Sequence, residues 1–189
     1  MKKFLKQFKK INSEPLEKAN LLWTWVGSFL GILAVSYIHL DTLSDTDLSL
    51  IIGSFGASAV LVYGAINSPL AQPRNLVGGH LLSAIVGVSV YKLFPDYIIL
   101  ASALAVSISI LMMQITLTLH PPGGATALIA VIGSEHIHEL GYMYILVPVL
   151  SGSFILLIIA VIVNNIPSHR HYPESFYKFN KKWFSDDYE

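Results

Sequence analysis

The sequence predicts an all-α protein: a polytopic transmembrane helical bundle of two three-segment repeats, inverted with respect to each other, with short or broken Gly/Ala-rich helices. Three observations carry this. The chain is 53% hydrophobic and 13% charged, with no cysteine, a composition that belongs in a bilayer. Between Leu21 and Ile166 the only basic residues are Arg74 and Lys92, and the only acidic ones Asp41, Asp45, Asp47, Asp96, Glu135 and Glu139. Finally, Gly56-Ala57-Ser58-Ala59-Val60-Leu61 matches Gly124-Ala125-Thr126-Ala127-Leu128-Ile129 small residue for small residue.

Residues 1–20 are basic, with Phe4, Leu5, Phe8 and Ile11 on one helical face and lysines on the other. They read either as a helix lying on an anionic membrane surface or as a solvated tail that sets orientation; no cleavage site follows at signal-peptide spacing. Apolar segments then run over 21–40, 48–66, 75–94, 97–119, 124–133 and 142–166, against about 20 residues for a span. The fifth is too short to span alone. If it completes a crossing together with the turn before it, the chain crosses six times. Every acidic residue of the middle then falls on one side, in loops 41–47, 95–97 and 134–141, while Arg74 lies with the basic ends, which places both termini in the cytoplasm. Reading both Gly/Ala-rich segments as re-entrant gives four crossings. The transmembrane domain is 21–166, in halves 21–94 and 97–166, followed by a cytoplasmic tail, 167–189, whose FYKFNKKWF run suits the inner interface. An odd number of crossings per half makes the halves inverted, a plan shared by many transporters.

The stretch from His120 to Leu128, HPPGGATAL, must interrupt its helix. Pro121 and Pro122 lack donors and clash with a preceding turn, while Gly123 and Gly124 allow tight packing. Broken backbone at membrane depth is kept only inside protein or along a wet cavity, which makes the break a candidate site. Gly27 with Gly31, and Gly79 with Ser83 and Gly87, read as helix contacts, and Pro148 as a kink.

The candidate substrate-binding set is Ser54, Ser58, Arg74, Asn75, His80, His120, Pro121, Pro122, Gly123, Gly124 and Thr126. His120 holds a proton, donates to an anion or caps the break; His80 makes an interhelical hydrogen bond or contacts substrate. Arg74 is a topology charge or an anion-recruiting group at the mouth, with Asn75 beside it. The hydroxyls of Ser54, Ser58 and Thr126 donate to an anion or bond back to their own helices. The starts of the two Gly/Ala-rich helices would offer unpaired N–H groups to a monovalent anion, which fits a chain read as having no buried cation. Glu135-His136-Ile137-His138-Glu139 reads as a solvated loop rather than a metal cluster, and His169, Arg170 and His171 as surface.

At 56–88 and 119–133, with SPLAQPRN followed by GGH and with HPPGGATAL, the chain resembles the HPP family of integral membrane proteins, over nearly all of Leu22 to Pro173. That family is described as having four membrane-spanning helices and as transporters, with cyanobacterial and plastid members implicated in nitrite transport. The resemblance therefore implies passage of a small inorganic anion, nitrite foremost. The six-segment count is kept against the four-span description on the charge distribution and the repeat.

No nucleophile–base pair, zinc-protease motif or phosphate loop appears, and no carboxylate lies at membrane depth, so the protein is expected not to be an enzyme. No cofactor or metal is expected. Partners are a small inorganic anion and the lipid bilayer, not nucleic acid, with a homo-oligomer left open; the expected place is the inner (plasma) membrane. The alternatives are a membrane anchor or sensor whose HPP turn is only structural, and a transporter of a small neutral solute.

Overall fold

A computed structural model describes residues 18–174; the amphipathic segment within 1–17 and the aromatic–basic run in 175–189 lie outside the described residues. Among the described residues five helices are long and apolar enough to cross a membrane: Asn20–His39, Asp45–Gly64, Pro73–Leu93, Ile98–Ile115 and Ile145–Asn165, with Pro121–Ile132 as a shorter apolar helix. That exceeds a four-span plan, and the first Gly/Ala-rich stretch lies inside a full-length span rather than a re-entrant loop.

Helix α1 (Lys18–His39) is followed by α2 (Asp45–Ala59), capped by Ser44, whose hydroxyl accepts from the Asp47 N–H, with Asp45 and Asp47 in the first turn, where carboxylates favour the positive end of the helix dipole. α2 runs on into a wide π turn, Val60–Gly64. A short 3₁₀ turn, Pro69–Ala71, leads to α3 (Pro73–Leu93), which starts on proline. α4 (Ile98–Ile115) ends before a turn in which Leu117 takes φ 56°. α5 (Pro121–Ile132) starts on the double proline, and α6 (Glu135–Leu140) is a surface turn. The last span joins a π turn, Ile145–Leu150, to α7 (Ser151–Asn165). Val147, before Pro148, leaves helical geometry at φ −132° and ψ 120°, which is the expected proline kink.

Contacts sort the helix ends into two groups. At the tail end Arg170 donates to the Asn20 and Tyr63 carbonyls, Tyr172 to the Ala71 carbonyl, and Arg74 to the Thr116 carbonyl. At the acidic end His39 bonds Ser151, His136 donates to the Thr42 carbonyl, and Ser134 bonds Asp47. Among the described residues the chain therefore passes from end to end six times, with 116–132 making the fifth passage by an extended stretch and a helix of about 18 Å. Both described ends lie together, away from the acidic loops.

Small residues set the packing. A Cβ on Gly27 or Gly31 would fall 2.5 Å and 2.3 Å from the ring and hydroxyl of Tyr63, and one on Gly87 would fall 2.6 Å from the Ala127 carbonyl. α1 thus rests on Tyr63, and α3 and α5 touch backbone to backbone. The core runs between these contacts, through Val35, Phe55, Leu76, Ala84, Tyr144 and Leu156.

Candidate functional site

Where α2, α3 and α5 meet, five polar side chains lie out of contact with the surface: Ser54 (3% exposed), Ser58, His80 and His120 (0%) and Thr126 (2%). They form one line of hydrogen bonds. His120 Nδ1 donates to the Leu70 carbonyl at 2.8 Å, which makes its Nε2 an acceptor. Ser58 Oγ stands 3.0 Å from that nitrogen and 2.8 Å from His80 Nε2. His80 Nδ1 meets Thr126 Oγ1 at 2.7 Å, Thr126 Oγ1 meets Ser54 Oγ at 3.0 Å, and Ser54 donates to the Pro122 carbonyl at 3.0 Å. The rings of His80 and His120 are 5.0 Å apart, and the Phe55 ring is also 5.0 Å from that of His80. Tyr144 donates to the Thr126 carbonyl at 3.0 Å.

The local sequence explains why these groups converge. The HPP break ends α4 and swings His120 under Gly79, where a Cβ would lie 2.5 Å from the His120 Cβ. Gly123 packs so that its Cβ would lie 2.7 Å from Ser83 Oγ and 3.0 Å from the Gly79 carbonyl. Only glycines at these crossings bring α3 and α5 close enough for His80 to reach Thr126. Ser54 and Ser58, one turn apart on α2, then face that seam.

Other predicted residues lie elsewhere. Arg74 is exposed and donates to the Thr116 carbonyl at 2.8 Å, and Asn75 donates to the Leu119 carbonyl at 2.8 Å; both staple the turn before His120. Pro121 and Gly124 line an apolar groove of about 540 Å³ between α4 and α5 instead of the polar line. The expected anion cradle of two facing helix starts is not formed. α2 starts at Ser44, so Gly56–Ala59 is helix interior. At α5 the first two residues are prolines without N–H, and the Gly123 N–H is spent on the His120 carbonyl at 2.9 Å. The double proline that breaks the helix also removes the donors that a helix start would offer.

The reading of a chain without a buried cation is likewise corrected. Arg170 is 4% exposed. Its Nη2 donates to the Tyr63 carbonyl and to Asn164 Oδ1, both at 2.7 Å, and its Nη1 makes longer contacts to the Asn20 carbonyl and Thr24 Oγ1; Nε has no partner. Burial lowers its pKa below the usual guanidinium value. The π turn explains the arrangement, because its wide winding leaves the Val62 and Tyr63 carbonyls for Asn164, Thr24 and Arg170. At the opposite end Asp47 (0% exposed) accepts from Ser44 at 2.6 Å and from the Ser134 N–H at 2.9 Å, tying the start of α2 to the end of α5. Neither group announces itself in the sequence, since each sits among exposed polar residues.

Comparison with known proteins adds a family. The model of the HPP transmembrane region matches residues 13–173. Two proteins of Dictyostelium discoideum, each described only as a transmembrane protein, are 52% and 48% identical over 155 residues, covering 80% of this chain and 54% and 49% of their own lengths. The chain spans about half the length of these curated relatives. No solved structure matches it.

Proposed function

The chain belongs to the HPP transmembrane family, and from that premise we propose that it is a transporter, passing a small monovalent inorganic anion, nitrite foremost, along the buried polar line of His80, His120, Ser54, Ser58 and Thr126. The observation that carries this reading is the line itself: two histidines and three hydroxyls, all buried and joined by hydrogen bonds where three apolar helices meet. Ionisable groups at that depth are expensive and are kept where a solute or proton must pass. Turned from their bonds to one another toward a passing solute, the hydroxyls and imidazole N–H groups would supply neutral donors, which hold an anion without trapping it. The Pro69–Ala71 turn stands over the line, its Leu70 carbonyl bonded to His120 and its Ala71 carbonyl to Tyr172 at 2.7 Å, in the position of a gate. The protein acts by passage rather than by chemistry, in a plasma membrane with both termini in the cytoplasm.

Purified protein in liposomes tests this with nitrite, nitrate, chloride and urea as separate probes. Anion entry above that of protein-free liposomes, with urea excluded, is the expected result; no flux of any of the four would overturn it, and urea entry alone would turn the reading to a neutral-solute transporter. A second reading, a membrane anchor, draws on two observations: each of these polar side chains is already bonded within the protein, and the relatives are about twice as long, which would give such a domain something to hold.

A further inference from the structure

Six hydrogen bonds join seven groups in a row: the Leu70 carbonyl, His120, Ser58, His80, Thr126, Ser54 and the Pro122 carbonyl. Each bond needs one proton between its two atoms. The carbonyls at both ends bring none, while each neutral imidazole and each hydroxyl between them brings one. Five protons must therefore serve six bonds. Ser58 also approaches the Ser54 carbonyl at 3.3 Å, which only widens the shortage. Were the row to end on a donor at either side, the count would balance.

We infer that this row is a binding site for one proton, taken up together with one monovalent anion, so that transport is proton-coupled. The anion half rests on the transport reading above; the proton half rests on the hydrogen bonds alone. The added proton comes from water and settles on an imidazole. With His80 as the imidazolium, its Nε2–H donates to Ser58 and its Nδ1–H to Thr126. Ser58 then donates to His120 Nε2 and His120 to Leu70, while Thr126 donates to Ser54 and Ser54 to Pro122. All six bonds are filled, and the proton returns to water when the anion leaves. In the neutral row Ser54 has a single proton to divide between Thr126 and Pro122, or else one imidazole nitrogen faces no donor.

The positive charge needs a partner, because a buried imidazolium without one is costly. None stands nearby. α2 carries Asp45 and Asp47 in its first turn and Tyr63 in its π turn, and α3 carries Arg74, Tyr91 and Lys92 near its ends. Between Ile98 and Ile132 the one ionisable residue is His120, and between Ile145 and Asn165 there is none; Tyr144 is committed to the Thr126 carbonyl. A single negative charge arriving with the proton neutralises the site, and its departure releases both.

The test is proton uptake by detergent-solubilised protein in weakly buffered solution, followed with an indicator dye as sodium nitrite is added. Wild type is expected to take up about one proton per nitrite bound. Ser58→Ala removes one proton and two bonds, which leaves four of each, so uptake should vanish; Ser58→Thr should restore it. Ser54→Ala balances the row from its far end and should behave as Ser58→Ala does. Nitrite binding without proton uptake in wild type, or equal uptake in Ser58→Ala, would overturn the inference while leaving the transport reading standing. If nitrite does not bind, the nitrite reading falls, and the proton is counted by nitrogen-15 NMR of histidine-labelled protein in bilayers during acidification with chloride as the monovalent anion. With the signals of the five histidines outside the row assigned, one imidazolium shared between His80 and His120 in wild type and none on either ring in Ser58→Ala supports the count, whereas independent titration of both rings contradicts it.

Discussion

Ser58 Oγ stands 2.8 Å from His80 Nε2 and 3.0 Å from His120 Nε2, so one hydroxyl faces two imidazole nitrogens from different parts of the chain. Because His120 gives its Nδ1 proton to a carbonyl, its other nitrogen must accept, and the state of each ring is set by its neighbour. Such a row is either complete or broken, and small substitutions along it should have disproportionate effects.

Thr126→Val keeps the side-chain volume but removes the partner of His80 Nδ1 and of Ser54. Leaving buried polar groups unpaired costs about 1–3 kcal/mol, so the thermal midpoint in detergent should fall clearly, and Thr126→Ser should recover most of it. An unchanged midpoint for Thr126→Val would mean that the row is looser than drawn.

Arg170→Ala should destabilise by about 3 kcal/mol, the cost of a lost buried charged donor and its stranded acceptors. The Tyr63 carbonyl and Asn164 Oδ1 both lose their 2.7 Å partner. Arg170→Lys should recover only part, because one ammonium cannot reproduce the planar fork. Fluorescence-detected gel filtration after a heat step reads the order wild type, Lys, Ala; an Ala variant as stable as wild type would return Arg170 to the surface role that the sequence suggests.

Topology can be read by labelling, since the chain has no cysteine. Asp45→Cys and Glu139→Cys, both exposed at the acidic end, should react with an impermeant reagent from one side of the membrane, and Asn67→Cys from the other. Ile137 is a poor position for this, being 2% exposed. Labelling of 45 and 139 from opposite sides would remove the six-passage arrangement.

Gly87→Val would drive a side chain into the Ala127 backbone, whose carbonyl lies 2.6 Å from a Cβ at that position. Backbone cannot yield as a side chain can, so α3 and α5 should separate and expression of folded protein should fall sharply. Gly53→Ala, where a Cβ meets nothing within 4 Å, is the matched control and should fold normally.

Much of this architecture is legible in residue order. Charge exclusion alone outlines the spans, because an ionised side chain marks where apolar surroundings end, and Pro121-Pro122 fixes the break. Ser54, Ser58 and Thr126 stand out as hydroxyls within Gly/Ala-rich stretches, and close helix contact requires such stretches. Arg74 reads in the sequence as a topology charge or an anion-recruiting group at the mouth, with Asn75 beside it; that both bond carbonyls of the turn at Thr116–Leu119 has no signal in residue order. The helix-start cradle fails because a proline is at once a break and a missing donor, and because the capping signal of α2 lies at Ser44, well before Gly56. Arg170 was out of reach for a different reason. Its burial comes from the tail folding over a π turn, and no local pattern announces a π turn.

The central claim, that solute passes along the His80–His120 row, is tested most directly by nitrite uptake into liposomes carrying wild type, His120→Gln or Arg74→Gln at matched protein density. The account predicts that His120→Gln abolishes uptake, while Arg74→Gln, which loses only an exposed staple, keeps most of it, any deficit shrinking as salt screens the mouth. His120→Gln carrying nitrite at the wild-type rate would contradict the claim and send the path elsewhere.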